Sequence, residues 1–444
     1  MTVEELLEQA RARIRRLSPE EAAADGAQIV DVRSETSRRR DGVVPGSLHV
    51  PLTVLQWRLD QMGDRVLVLC DHGFSSSLAA ASLVDLGVDA GEVVGGFEAW
   101  RAAGLPVVDE SPLEGLFPEG LAELHTHLGG SVSSDIMWSL AHEQGIALPT
   151  RDFWEFDRMV TVSDPRGVPD LDSLDRIYHL TELIQSSPLA VERSVHSAIG
   201  GAYRSQGITT LELRFNPMKR NRGGERDLDH IILAAIRGLD LASLEYPQVR
   251  AGLILMMDRT FSAEQNMVIV EKAIRYAPRG VVGVDIAGPR PGGARYDYTA
   301  ICPHVAAARA AGLGVTIHVG EEGGRHGVEE LHEVVDELRP DRIGHGILAA
   351  GDVDLMAKLR DADITLEICP TSNLLTKALS GEDAVRETFG AFVEHGVPFT
   401  IATDGPEMMR THLRDEFELL LRLGALGRDE AAAANTRGHK SAFA

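Results

Sequence analysis

The residues best suited to metal or hydrolytic chemistry sit at the ends of short apolar runs. The stretch "ELHTHLGGS" (123–131) sets His125 and His127 two positions apart. Residues i and i+2 of a β-strand point to the same side, so these imidazoles share a face. Further runs end in the same way. Arg214 closes "TTLELRF" (209–215), Asp285 lies in "VVGVDIA" (281–287), and His318 lies in "GVTIHV" (314–319) with Glu321 just beyond. His345 stands in "DRIGHG" (341–346), Glu367 in "ITLEIC" (364–369), and Asp404 follows "PFTIAT" (398–403). Imidazoles and a carboxylate are the ligands zinc favours, and a catalytic site leaves one position for water. His125, His127, His318 and Asp404, from the first, fifth and eighth runs, make up such a set. One histidine at a strand end is commonly a packing residue; a set with every member at a strand end or paired i, i+2 points to a metal.

Such a set needs a scaffold that brings strand ends together. With "AGLILMM" (251–257) there are eight apolar runs between 121 and 444, most of them separated by helical patterns. That alternation predicts a (β/α)8 barrel, whose active site lies at the C-terminal ends of its strands. The long gap between the first two runs must hold extra helices, which are expected to cover the barrel mouth. Upstream, "QIVDVR" (28–33), "RVLVLC" (65–70) and "AGEVVGGF" (90–97) read as buried strands, with the helical pattern "SSSLAAASLVDLG" (75–87) among them. This predicts a small α/β domain with a parallel sheet. Ser18-Pro19-Glu20-Glu21 has the form of a capping box with proline at the first helical position. The Pro- and Gly-rich stretch 104–120 reads as a connection. The expected division is therefore 1–112, a linker at 113–120, and a barrel at 121–444.

Composition narrows the function. The 444 residues carry 67 acids against 44 Lys plus Arg, a formal charge of −23. That balance lacks the basic footprint of nucleic-acid or anionic-membrane binding. Cys70, Cys302 and Cys369 are odd in number and far apart, so no disulfide framework is implied. The amphipathic, charged N-terminus lacks a signal peptide's apolar core, and no apolar run reaches membrane-spanning length. A cytoplasmic protein is expected.

The segment 121–444 resembles the adenosine/AMP deaminase family of zinc hydrolases. "ELHTHLGG", "LELRFNP", "GVDIAG", "HVGE", "RIGHG", "EICPTSN" and "TDGP" match its motifs in order across nearly the whole barrel. The resemblance implies one Zn2+ per chain on His125, His127, His318 and Asp404, lowering the pKa of bound water. It implies that His345 orients the hydroxide and that Glu321 shuttles a proton to a ring nitrogen and then helps ammonia leave. Gly288 would offer its backbone N–H to another ring nitrogen, and Asp285 would orient its neighbours. A surface acid on the following helix is the alternative for Glu321.

Two positions depart from the family pattern. Gly405 stands where "TDDP" has a second acid that hydrogen-bonds the imidazole side of the purine. Gly129 stands where the adenosine enzymes carry an acid that reaches the ribose 5′-hydroxyl. Each lost charge-assisted bond is worth about 1.5–3 kcal/mol. The expected substrate is therefore an adenine-like nucleoside or nucleotide derivative rather than plain adenosine. Basic residues gather in the loops of the catalytic face: Lys219, Arg220, Arg222 and Arg226, then Arg290, Arg295 and Arg325. Either they pair with the plentiful acids, or Arg220 and Arg222 bind an anionic substrate group bidentately.

Residues 26–108 resemble a rhodanese domain through "IVDVR", "GVVPGSLHVPL", "CDHGFS" and "VVGGFEAWRAAGLPV". Cys70 occupies the position that carries a persulfide in active members, cradled by backbone N–H groups at a helix start. Ser75 replaces the arginine that commonly ends that loop, and Asp71 adds negative charge. Cys70 is thus either a sulfur carrier or a buried thiol, and the domain binds a sulfur donor or a protein partner. Two other activities remain open: hydrolysis of a different C–N bond in a non-purine ring, and sulfur transfer with a ligand-binding barrel.

Overall fold

A computed structural model describes residues 2–34, 37–38, 41–108, 113, 115–162, 164, 167–168, 171–221, 227–289, 294–321 and 326–444. The chain forms two compact units, Met1–Glu114 and Gly115–Ala444.

In the first unit, β1 (Arg15–Leu17), β2 (Gln28–Asp31), β3 (Leu48–His49), β4 (Arg65–Leu69) and β5 (Asp89–Val93) form a parallel sheet in the order β1-β5-β4-β2-β3. Its central strand is buried on both faces, which is why it reads as an unbroken apolar run. Val66 and Val68 pack with Ala80 and Leu83 on one side, while Leu67 and Leu69 pack with Phe97 and Trp100 on the other. The capping box is present: Glu21 N donates to Ser18 Oγ at 3.2 Å and Ser18 N to Glu21 Oε2 at 2.8 Å. The sequence pattern misses β1 and β3. The amphipathic N-terminal segment is helical only over Val3–Arg11 and then turns into β1, where Arg16 Nε reaches the buried Glu92 Oε1 at 2.6 Å. An edge strand held by an ion pair leaves no apolar alternation to read.

The second unit is the expected barrel. Its strands are β6 (Leu121–His127), β7 (Ile208–Phe215), β8 (Arg250–Asp258), β9 (Val281–Ala287), β10 (Gly314–Val319), β11 (Arg342–His345), β12 (Thr365–Ile368) and β13 (Phe399–Ile401), each paired with the next. Every one falls on a predicted apolar run; three coincide with it and the ends of the others are shifted by at most two residues. Between β13 and β6 there is a single bridge, in which Asp404 N donates to His125 O at 2.8 Å and His127 N to Asp404 O at 2.7 Å. The C-terminal helix Arg428–Ser441 covers the same join from below. Asn435 accepts from Ala122 N and donates to Gly120 O, both at 3.0 Å. Gly438 permits this approach, because a Cβ there would lie 2.7 Å from Thr400 Oγ1.

Among the described residues, the gap between β6 and β7 holds four α-helices, Ser134–Glu143, Phe153–Val160, Leu171–Ile184 and Pro188–Gln206. Among the described residues no helix is long and apolar enough to cross a membrane.

A buried acid gives this unit a testable pH dependence. Glu416 is fully buried, accepting from Thr371 N at 2.9 Å and lying 2.6 Å from Thr411 Oγ1. Burial pushes its pKa up from 4.5 to about 7. As pH rises from 4.5 to 7 the unfolded chain loses this proton while the folded chain keeps it. Folded-state stability therefore falls across that window and levels off above it, by up to about 1.4 kcal/mol per pH unit. Glutamine can keep both contacts without a charge, since the Thr411 hydroxyl can accept. Urea titrations from pH 4.5 to 8 should show the slope in the parent and a shallower one in Glu416→Gln; equal slopes would exclude Glu416 as its source.

Candidate active site

Three histidines from two strands meet at the C-terminal end of the barrel. The bond pattern aims their outer ring nitrogens at one another. Behind His125, Nδ1 lies 2.8 Å from Glu367 Oε2; behind His318, Nδ1 lies 2.9 Å from Asp285 Oδ2. A carboxylate on Nδ1 makes that nitrogen the donor and leaves Nε2 as a lone pair. His125 Nε2 is buried without a hydrogen-bond partner, and His318 Nε2 lies 3.1 Å from His127 Nε2. Asp404 Oδ1 stands 3.4 Å from His127 Nε2 and 4.0 Å from His125 Nε2. Its other oxygen accepts from Ser372 Oγ at 2.7 Å.

Burial drives the pKa values of His125, His127 and His318 well below 6.5, and Arg214 adds to the shift. The lone pairs of His125 and His318 beside the neutral His127 and the Asp404 carboxylate form a donor set that a shared cation would satisfy. Ligands about 2.0–2.1 Å from a tetrahedral zinc stand about 3.3 Å apart, close to the His127–His318 spacing. The donor set therefore fits zinc.

Arg214 holds the two backing carboxylates in place. Its guanidinium donates to Asp285 Oδ2 at 2.8 Å, Glu367 Oε2 at 2.7 Å and Leu124 O at 2.6 Å. Burial opposes its charge, but Glu367 and Asp285 outweigh burial and raise its pKa. Arg342 extends the network, donating to Glu367 Oε1 at 2.6 Å and Glu212 Oε2 at 2.5 Å. Asp285 thus orients its neighbours from full burial.

Beside the ligand set, His345 Nδ1 lies 3.1 Å from Asn373 Nδ2. The amide N–H donates, so the network assigns the proton to His345 Nε2, which lies 3.6 Å from Glu321 Oε2. Both His345 and Asp404 adopt left-handed backbone, at φ 61° and 67°. Such non-glycine conformations are costly and cluster at functional sites.

His127, His318, Asp404, Glu321 and His345 open onto one cavity, walled by Gly129, Tyr178, Glu182, Phe215 and Gly288 among others. Gly288 has φ 93°, and a Cβ there would fall 2.5 Å from Asp258 Oδ2. Arg220 also reaches the wall but is buried among partners: Gln185 Oε1 at 3.1 Å, Asn216 O at 3.3 Å and Glu182 Oε1 at 3.6 Å. Lys219 pairs with Asp258 Oδ2 at 2.6 Å, and Arg295 pairs with Glu333. Arg222, Arg226, Arg290 and Arg325 lie outside the described residues. The wall residues Tyr178 and Glu182, on helix Leu171–Ile184, carry no motif and were not anticipated.

In the first unit, Cys70 is buried at the start of helix Ser75–Asp85. Gly73 N donates to its Sγ at 3.1 Å, and Ser76 Oγ lies 3.2 Å away. Ser76 and Ser77 in turn donate to the buried Glu92 at 3.2 and 2.5 Å.

Residues 120–444 match the family profile described as Adenosine deaminase. The chain belongs to the adenosine deaminase family. It is accordingly a hydrolytic deaminase. Residues 18–103 match the Rhodanese-like domain. An adenosine deaminase of Vibrio vulnificus is 29% identical over 294 residues, covering 66% of this chain and 85% of the relative. The Arabidopsis N6-mAMP deaminase structure superimposes with a TM-score of 0.63 at 25% identity, covering 74% of this chain and 95% of that one. An amidohydrolase from Burkholderia ambifaria, solved with bound Zn, gives a TM-score of 0.65 at 21% identity over 74% of this chain and 87% of its own. The family fold is thus shared across the barrel.

Proposed function

We propose that the barrel binds one zinc ion and replaces the exocyclic amino group of an adenine-like nucleoside or nucleotide derivative by oxygen, releasing ammonia. The observation that carries this reading is that His127, His318, Asp404, Glu321 and His345 line a single cavity, with His125 buried directly behind it within reach of His127, Asp404, His318 and His345. A bound zinc ion supplies Lewis acidity and brings the ionisation of water toward neutral pH. The remaining work belongs to the chain. His345, with its proton on Nε2, orients the attacking water over the ring carbon. Glu321 gives a proton to the adjacent ring nitrogen, which makes that carbon electrophilic, and later transfers a proton to the departing amine. Gly288 offers backbone N–H to a second ring nitrogen, where the missing Cβ allows close approach. The walls exclude bulk water and hold the ring in plane.

The test is a panel of adenine, adenosine, AMP and N6-methyl-AMP, with ammonia or methylamine release as the readout. Elemental analysis of the same preparation should return one zinc per chain, and His318→Ala should reduce it at least tenfold. Zinc-loaded protein that deaminates none of the four would overturn the substrate class. A zinc content unchanged by His318→Ala would overturn the ligand assignment.

A further inference from the structure

The two glycines that set this chain apart face the same side chain. A Cβ built on Gly405 would lie 2.9 Å from Tyr178 Oη, and one built on Gly129 would lie 3.0 Å from Tyr178 Cδ1. A Cβ on Gly130 would lie 3.2 Å from the same hydroxyl. Gly405 has φ −144°, open to any residue, so its backbone does not require glycine. What excludes a side chain at 405 is the Tyr178 hydroxyl. The phenol thus fills the space that an acid at this position would occupy, and its body closes over Gly129.

Its surroundings show what it can do there. Tyr178 lines the same cavity as His127, His318, Glu321, His345 and Gly288. Its ring centroid is 5.6 Å from that of His127. Its hydrogen-bond partner among the described residues is Asp404 Oδ1, at 3.4 Å. An O–H···O bond is ordinarily 2.5–3.0 Å long, so this contact is stretched. The hydroxyl can rotate toward a better acceptor in the cavity.

We propose that Tyr178 is the specificity-determining residue for the imidazole edge of the base, donating its O–H to the ring nitrogen there in place of a carboxylic acid. The proposal rests on the adenine-like reading above, in which Glu321 and Gly288 serve the six-membered ring and Gly405 borders its other side. It also links two positions: at Gly129 and Gly405 the atom nearest an added Cβ belongs to Tyr178, whereas at Gly130 the backbone of Gly405 comes first, at 2.6 Å. A phenol donates as a neutral group, whereas an acid must first be protonated to donate. In the donating role proposed, the hydroxyl calls for an unprotonated ring nitrogen on this edge. A site built around a hydrogen bond discriminates strongly against an analogue that lacks the partner.

The test compares whichever of adenine, adenosine and AMP the parent turns over fastest with its 7-deaza counterpart, in which that nitrogen is a C–H. The parent should favour the intact ring at least 30-fold in kcat/KM. Tyr178→Phe should lose about that factor on the intact ring and less than threefold on the 7-deaza compound, and inhibition constants of the two deaminated products should converge in the same way. An equal loss on both compounds, or no loss on either, would overturn the proposal. If the parent neither binds nor deaminates any of the three amines or N6-methyl-AMP, the adenine-like reading falls and takes this proposal with it; turnover of N6-methyl-AMP alone moves the comparison to that compound and its 7-deaza counterpart. A second experiment needs no catalysis. Gly405→Ala should lower the melting temperature of the parent but not that of Tyr178→Phe, where the hydroxyl it meets is gone. Equal lowering in both backgrounds would show that Tyr178 does not fill the space at 405.

Discussion

Replacing Glu321 by glutamine is expected to reduce turnover about a thousandfold, within the 10²–10⁴ range of positioned proton transfer, while zinc content and product binding stay within twofold. The expectation comes from where the carboxyl lies. Glu321 follows β10 by two residues, lines the cavity, and approaches the His345 ring from the open side. Glutamine keeps the size and hydrogen-bonding reach of the side chain but has no proton to deliver to a ring nitrogen. An acid that merely paired with a neighbour would affect stability and leave turnover nearly unchanged. Single-turnover rates on the best substrate of the panel, with inhibition by the deaminated product measured alongside, separate the two. A loss of less than tenfold would remove Glu321 from proton transfer.

The second large effect is expected at Arg214, which fixes the carboxylates that back His125 and His318. It is fully buried, as are Asp285 and Glu367. Arg214→Met removes the cation between two carboxylates and leaves Asp285 without the guanidinium that holds it on His318 Nδ1. Breaking a buried pair from one side costs about 3–5 kcal/mol, and loss of a backing hydrogen bond typically weakens a metal site about 10–100-fold. The variant should therefore unfold at lower urea with and without zinc, and lose zinc at lower chelator concentrations. Arg214→Lys should recover only part of either effect, since an ammonium cannot hold both carboxylates in a fork. A folding free energy within 1 kcal/mol of the parent would mean that Asp285 and Glu367 are satisfied some other way.

The barrel was legible in the sequence because most of its strands are short, largely apolar runs that carry polar residues toward their C-terminal ends. That places the eight runs, and it selects His125, His127, His318, His345 and Asp404 by position alone. The partners of these groups were only partly readable. Asp285 and Glu367 stand at strand ends and were noticed as polar, but their pairing through Arg214 joins residues 71 and 153 positions apart, which no local pattern encodes. Asn373 and Ser372 lie within the "PTSN" motif, yet the histidine and the carboxylate they hold become visible only in three dimensions. Tyr178 was missed for a further reason. It sits in a helix outside the strand–helix alternation, and the trace it leaves in the sequence is indirect: two glycines where side chains were expected. In the first unit, β1 escaped notice because its stabilising contacts are ionic rather than apolar.

The single bridge between β13 and β6 has a consequence for how the barrel stays shut. Thr403 donates to the buried Glu123 across that gap at 2.7 Å, joining residues 280 positions apart. His125 and His127 stand on one bank and Asp404 on the other. A cation gripped by all three acts as a clasp on a loop of that size, a constraint worth on the order of 5 kcal/mol by the loop-closure relation. Under the proposed ligand set, catalytic ion and structural fastener would be the same atom. Stripping it should let the first and last strands part before the rest of the cylinder loosens.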